Sequence, residues 1–259
     1  MRQINPEKEI EHIINVIKRY FIENGNKDTK AVIGISGGKD STVAAALLTR
    51  ALGSDRVIGV LMPCGKQTDI EDSYEVVKML KIPFVEINLH SAYEAMEKNL
   101  VDNNIPINDQ IKTNMPARLR MTTLYNVAAA VGGRVINTGN ASELYVGYTT
   151  KYGDLAGDFA IFRDYYVRDV LSIGAALEEI AEPRLLYKDP GDGMSGKTDE
   201  DNMGFSYETL DAYLLDGIYP DYDTLRNIEE RHDRNKHKRA IKIPCIWAAT
   251  RSESDDCSF

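Results

Sequence analysis

The chain has 259 residues, 43% hydrophobic and 27% charged, with a formal net charge of −9. That length allows one large α/β domain or two small ones, the composition is that of an ordinary globular protein, expected in the cytoplasm with its thiols reduced, and the charge argues against a nucleic-acid partner held by a general basic field. No apolar run approaches the roughly 20 residues of a membrane span, Met1-Arg2-Gln3-Ile4-Asn5 is not expected to open a secretory signal, and the scattered Cys64, Cys245 and Cys257 suit neither a zinc site nor a disulfide framework.

In chain order, Ile10, Ile13, Ile14, Ile17 and Phe21 recur at helical spacing and predict an amphipathic helix. Ala31-Val32-Ile33 then reads as a buried strand, and Val43 to Leu48 as a helix. Val57 to Leu61 is a predicted strand, 71–80 a helix, Phe84 to Ile87 a strand, and a helix follows from about Ala92. The pattern from Met115 to Val131 is helical, and Arg134 to Asn137 is the next strand. Strands alternating with helices predict an α/β, doubly wound, mainly parallel sheet with helices on both faces. Residues 188–203 are almost without apolar side chains and hold several glycines, which predicts a mobile lid or a passive linker. Helical pattern resumes over Tyr207–Leu215 and Tyr222–Arg234, and the polar tail 247–259 is expected to fray. No repeat or second domain boundary interrupts residues 1–259, so a single domain is expected.

The chemistry concentrates where two strands end. Residues 34–41 read Gly34-Ile35-Ser36-Gly37-Gly38-Lys39-Asp40-Ser41, between the first strand and its helix. Backbone N–H groups and the dipole at a helix start hold phosphate, and glycines let the backbone close around an anion. This is not a Walker A loop. Three residues, not four, separate Gly34 from Gly38, and Asp40 rather than Ser or Thr follows Lys39. Asp40 puts a carboxylate where a phosphate-bound Mg²⁺ needs a ligand. The stretch Ser36 to Ser41 resembles the pyrophosphate loop of the ATP pyrophosphatases, which cleave ATP between its α- and β-phosphates; a capped Gly-rich turn is the other reading. At the second strand end, Thr138-Gly139-Asn140-Ala141-Ser142-Glu143 closes on a carboxylate. Glu143 shares a Mg²⁺ with Asp40 if the sheet order makes these ends neighbours; by itself it reads as a solvated helix-start carboxylate.

The continuation Gly147-Tyr148-Thr149-Thr150-Lys151-Tyr152-Gly153-Asp154 is more specific. Together with Ala117-Arg118-Leu119-Arg120-Met121, Thr198-Asp199-Glu200 and His237-Lys238-Arg239, it resembles the ammonia-dependent NAD synthetases of the N-type ATP pyrophosphatase superfamily, whose fold is adenine nucleotide alpha hydrolase-like. The resemblance runs from the first strand to Ile243-Pro244. It implies ATP on Gly34, Ile35, Ser36, Gly37, Gly38, Lys39, Asp40 and Ser41 with Thr138, and Mg²⁺ on Asp40 and Glu143. It implies deamido-NAD on Arg118, Lys151, Asp158, His237 and Lys238, across a homodimer interface, with Asp40, Glu143, Lys151 and Asp158 counted as catalytic. Tyr125 and Tyr148 are candidates to stack on the nicotinate ring or to pack in the core.

The implied reaction is amidation of deamido-NAD by ammonia through an acyl-adenylate, with release of AMP, pyrophosphate and NAD. The alternatives are another ligase of the same superfamily and a nucleotide-binding regulator without turnover. No cysteine sits in a nucleophile context, so no fused glutaminase is expected. The chain departs from the family at Val167, where many members place an ATP-binding lysine, at Gly191 after the lid proline, and at Leu61. Lys197 on the lid is the candidate replacement cation, with a solvated loop charge as its other reading and Arg168 as runner-up.

Overall fold

Asn5 accepts a hydrogen bond from Lys8 N at 3.0 Å and so caps α1 (Pro6–Glu23), the expected first helix, whose buried face carries Ile10, Ile13, Val16, Ile17 and Phe21. The structure, a computed structural model, describes residues 4–67, 69–188 and 198–239. From α1 the chain alternates as predicted. β1 (Lys30–Gly34) leads to α2 (Lys39–Leu52), β2 (Val57–Leu61) to α3 (Ile70–Met79), and β3 (Phe84–Glu86) to α4 (His90–Asp102) and α5 (Asp109–Val131). β4 (Gly133–Asn137) is followed by α6 (Ala141–Val146), β5 (Phe159–Ala160), α7 (Val167–Ala175) and α8 (Arg184–Tyr187). Beyond residue 197 come α9 (Asp199–Met203), α10 (Tyr207–Asp216), α11 (Tyr222–Arg234) and α12 (Lys236–Arg239).

Among the described residues the strands form one sheet in the order β3-β2-β1-β4-β5, and every pairing is parallel. Its two faces follow from the strand period. Ala31 and Ile33 join the cluster built with α1, α2 and α7, while Val32 between them joins Val60, Val135 and Ala128 on the face covered by α5. Helices therefore cover both faces, as a doubly wound fold requires.

The strand order also places the site. From β1 the chain winds outward through β2 and β3, then returns to β4 on the other side of β1. The carboxyl ends of β1 and β4 are neighbours at this reversal, which is where such sheets open a ligand crevice. Both sequence constellations start there.

The structure differs from the sequence expectations in three details. α5 begins at Asp109, well before Met115, because Asn108 accepts from Ile111 N at 2.9 Å and caps a polar, exposed first turn that has no apolar period to reveal it. β5 is a pair of residues, too short for any pattern. Of the expected lid, Thr198 to Met203 is a capped helical turn, in which Thr198 and Asp201 bond each other's backbone N–H groups. Residues 189–197, Lys197 among them, and the tail 247–259 lie outside the described residues.

Candidate active site

The loop after β1 is held open by its own side chains. Ser36 Oγ and Ser41 Oγ lie 3.1 Å apart, Gly38 N donates to Ser36 Oγ at 3.3 Å, and Thr42 Oγ1 donates to the Gly38 carbonyl at 2.8 Å. Gly38 is the N-cap of α2 and has no side chain to satisfy the first-turn N–H groups, which leaves that helix start to an incoming anion. Gly37 has φ +76°, and a Cβ there would lie 2.5 Å from Asp72 Cβ and 2.9 Å from Ser73 N. The loop is thus seated directly on the first turn of α3. That turn is fixed in its place, since Lys188 Nζ bonds Asp69 at 2.6 Å and Asp72 at 2.7 Å, and Arg184 bonds Asp72 at 2.6 Å.

Asp40 and Glu143 come together as the sheet order requires. Asn140 joins them: its side-chain amide donates to Asp40 Oδ1 at 3.2 Å, and its backbone N–H donates to Glu143 Oε2 at 3.1 Å. Asn140 Oδ1 in turn accepts from Glu143 N at 3.0 Å, so the capping box of α6 orients Glu143. Lys39 is 7% exposed and its ammonium lies 3.0 Å from Asp40 Oδ2. Burial pulls the Lys39 ammonium down, but Asp40 and Glu143 more than offset it, so the group stays charged. Burial and the Asp40 carboxylate push the Glu143 carboxyl well above the ordinary carboxylate range, against the pull of Lys39. Two carboxylates with one cation between them leave room for more positive charge.

Thr138 is partly buried, two residues before Asn140. Its neighbour Asn137 shapes the turn by donating to the Asp154 carbonyl at 2.6 Å and accepting from Gly139 N at 3.1 Å. The residues implied for the second substrate lie along α5. Arg118 Nε donates to the Lys151 carbonyl at 3.4 Å, and the Lys151 ammonium stands 5.3 Å from the centre of the exposed Tyr152 ring. Asp158 Oδ2 accepts from Val135 N at 2.7 Å. Burial and Asp158, to which it also hydrogen-bonds, push the Tyr125 phenol up to about 12. Arg118 and Tyr125 stand seven positions apart on α5 and share a face, so Lys151 and Asp158 meet one stripe of that helix. Lys238 reaches back from α12 and donates to the carbonyls of Gly147 at 2.7 Å and Thr149 at 2.6 Å, pinning the loop that carries Lys151. His237 is exposed. The Tyr148 hydroxyl accepts from Asn202 of α9 at 3.2 Å.

Val167 has a local reason. Its side chain is buried with Val146, Met203, Phe205, Tyr207 and Leu210, an apolar knot under α10. The runner-up cation is engaged elsewhere, because Arg168 makes a bidentate pair with Asp216 at 2.7 and 3.2 Å. Two participants escaped the sequence reading. Asn140 was legible as the cap of an Asn-x-x-Glu box; Tyr207, whose ring lies 5.3 Å from Lys39 Nζ, looked like any core residue of a predicted helix.

The sequence profile described as NAD synthase matches residues 9–242. The NH3-dependent NAD+ synthetase of Pyrococcus furiosus is 36% identical over 258 residues, covering 94% of this chain and 96% of that one. Among solved structures, the NMN synthetase from Francisella tularensis superposes with a TM-score of 0.83 at 33% identity, covering 93% of this chain and 98% of that one. The NH3-dependent NAD synthetase from Campylobacter jejuni gives 0.73 at 26% identity, with coverage of 93% and 98%.

Proposed function

The chain belongs to the NAD synthase family and is a ligase; from that premise we propose that it amidates the nicotinate carboxylate of deamido-NAD with free ammonia, giving NAD and converting ATP to AMP and pyrophosphate. The observation that carries this reading is the junction of β1 and β4, where a phosphate-shaped helix start meets the Asn140-linked carboxylates Asp40 and Glu143.

A carboxylate is a poor electrophile, so its oxygen attacks the α-phosphorus of ATP. The α–β bridging P–O bond breaks, pyrophosphate leaves with the electron pair, and an acyl-adenylate forms. Ammonia then attacks the acyl carbon, a proton is lost from nitrogen, and AMP departs. The loop from Ser36 to Ser41 and the start of α2 steady the charge growing on the pyrophosphate, which is where preorganised donors act best. Lys39 adds a buried positive charge on the same side. Asp40 and Glu143 fit a hard divalent cation: they are oxygen ligands held together, and the Asp40 carboxylate raises the need of Glu143 for a counter-charge. Mg²⁺ on them would neutralise phosphate charge. Among the described residues no third His, Cys, Asp or Glu completes a cage, so phosphate oxygens and water would fill the other positions.

Arg118 and Lys151 supply cations for the phosphates of deamido-NAD, and Asp158 an acceptor for its ribose hydroxyls. Lys151→Ala is expected to raise the KM for deamido-NAD about tenfold and leave ATP affinity, measured without deamido-NAD, within about twofold. The converse pattern, ATP affinity lost with deamido-NAD affinity kept, would reverse the assignment. A second copy of the chain is the natural cover for the far side of this trough. α4 buries none of its residues in the single chain, and Met96, Val101 and Ile105 with Phe84 and Val85 of β3 are exposed. A cytoplasmic location accords with these substrates, and no helix among the described residues is long and apolar enough to cross a membrane.

The likeness to an NMN synthetase favours a second reading, in which the carboxylate belongs to nicotinate mononucleotide. Steady-state assays with ammonium, ATP and either nucleotide separate the two. Deamido-NAD is expected to give the higher kcat/KM; a preference of more than about tenfold for the mononucleotide establishes the second reading, and amidation of neither refutes both.

A further inference from the structure

Tyr207 opens α10 and is 3% exposed, held by the Ser206 cap and by its own N–H, which donates to Glu200 Oε1 at 2.9 Å. Its ring is fixed in the apolar knot with Val146, Val167 and Met203. Its hydroxyl is buried and has no hydrogen-bond partner among the described residues. Tyrosine hydroxyls usually find a partner when buried; among the described residues Ser73 Oγ and Thr149 Oγ1 share that lack, but only Tyr207 has its ring beside Lys39.

The surroundings supply one. Lys39 Nζ, which pairs with Asp40, lies 5.3 Å from the ring centre, so the tyrosine borders the phosphate loop and the carboxylate pair together. Besides Lys39, the charged and titratable groups facing it include Glu143, Asp199, Asp40 and Tyr148, from α6, α9, α2 and the loop after α6. Asp40 and Glu143 already have donors of their own in Lys39 and Asn140. A polyphosphate oxygen arriving at the neighbouring loop brings a further, charged acceptor into this corner.

We propose that Tyr207 is a nucleotide-binding residue whose hydroxyl donates a hydrogen bond to a phosphate oxygen of bound ATP, and then of pyrophosphate. Burial and the neighbouring carboxylates hold the phenol well above its ordinary range, so it stays a donor. The ring meanwhile keeps Lys39 in place by a cation–π contact. This assignment rests on the proposed ATP site but not on which pyridine nucleotide is amidated.

The test is Tyr207→Phe in the full chain, read by calorimetric titration with magnesium pyrophosphate and with MgATP. Both affinities are expected to fall about tenfold, the loss of one hydrogen bond to a charged acceptor. The ligand-free melting temperature should hold or rise, since no native bond is lost, and the KM for deamido-NAD should not move. Tyr207→Leu, which also removes the ring beside Lys39, should weaken pyrophosphate further. Pyrophosphate affinity within twofold of the parent in Tyr207→Phe overturns the assignment and leaves a misfit core hydroxyl. If the parent protein binds pyrophosphate but amidates neither nucleotide, the proposed reaction fails while this comparison still reads.

Discussion

Glu143→Gln is expected to lower turnover by at least about 100-fold and, in the same protein, to raise the melting temperature without ligands at neutral pH. The two effects have one cause. Burial and Asp40 raise the Glu143 carboxyl in the folded chain above its ordinary value of 4.5. The folded state therefore binds a proton that the unfolded state releases, and stability falls as pH climbs from that ordinary value toward the raised one. Glutamine carries no charge and escapes the penalty, and its side-chain oxygen can still accept from Asn140 N. What it cannot do is give Mg²⁺ an anionic ligand. Added MgATP should accordingly raise the melting temperature of the parent more than that of the variant. Near-normal turnover at saturating Mg²⁺, or an unchanged melting temperature above pH 7, would show that Glu143 is a solvated carboxylate after all, and a lower one that its pairing with Lys39 outweighs its burial.

Gly37→Ala is the larger structural insult. Its φ of +76° already disfavours any side chain, and the added Cβ would meet Asp72 Cβ at 2.5 Å and Ser73 N at 2.9 Å. α3 has nowhere to retreat, because Lys188 and Arg184 tie Asp72 down. We expect a stability loss of about 2–3 kcal/mol, from left-handed strain plus overpacking, and MgATP affinity lowered at least about 100-fold as the loop reshapes, the scale of a lost phosphate-stabilising group. Gly53→Ala is the control, with φ +87° and nothing within 4 Å of the new Cβ, so it carries strain without crowding. A Gly37 variant that costs no more than the Gly53 variant and binds MgATP normally would separate the loop's shape from its function.

Most of the fold was legible because its signals are local. The buried runs of β1, β2 and β4 and the periodic face of α1 follow from side-chain pattern alone, and the chain's alternation yields a parallel sheet. The first turns of α5 were not, since a polar cap and exposed side chains leave no period to count. At the site, Ser36–Ser41 and Glu143 were visible as residue types with a chemical use. Their meeting was conditional on strand order, a non-local fact that β1 lying between β2 and β4 supplies. Tyr207 was invisible for the same reason, since its role depends on α10 folding back over Lys39. The placement of Val167 shows the converse: an apolar residue where the resemblance implied a cation is explained by the knot that α7 makes with α10.

At the Gly34–Ser41 loop the nicotinate carboxylate is activated by attack of its oxygen on the α-phosphorus of ATP. Deamido-NAD labelled with ¹⁸O in its carboxylate, incubated with ATP, ammonium and Mg²⁺, tests it directly. One labelled oxygen is expected in the phosphate of AMP for each NAD formed, with unlabelled pyrophosphate alongside. Label in inorganic phosphate, with ADP as the nucleotide product, would contradict it.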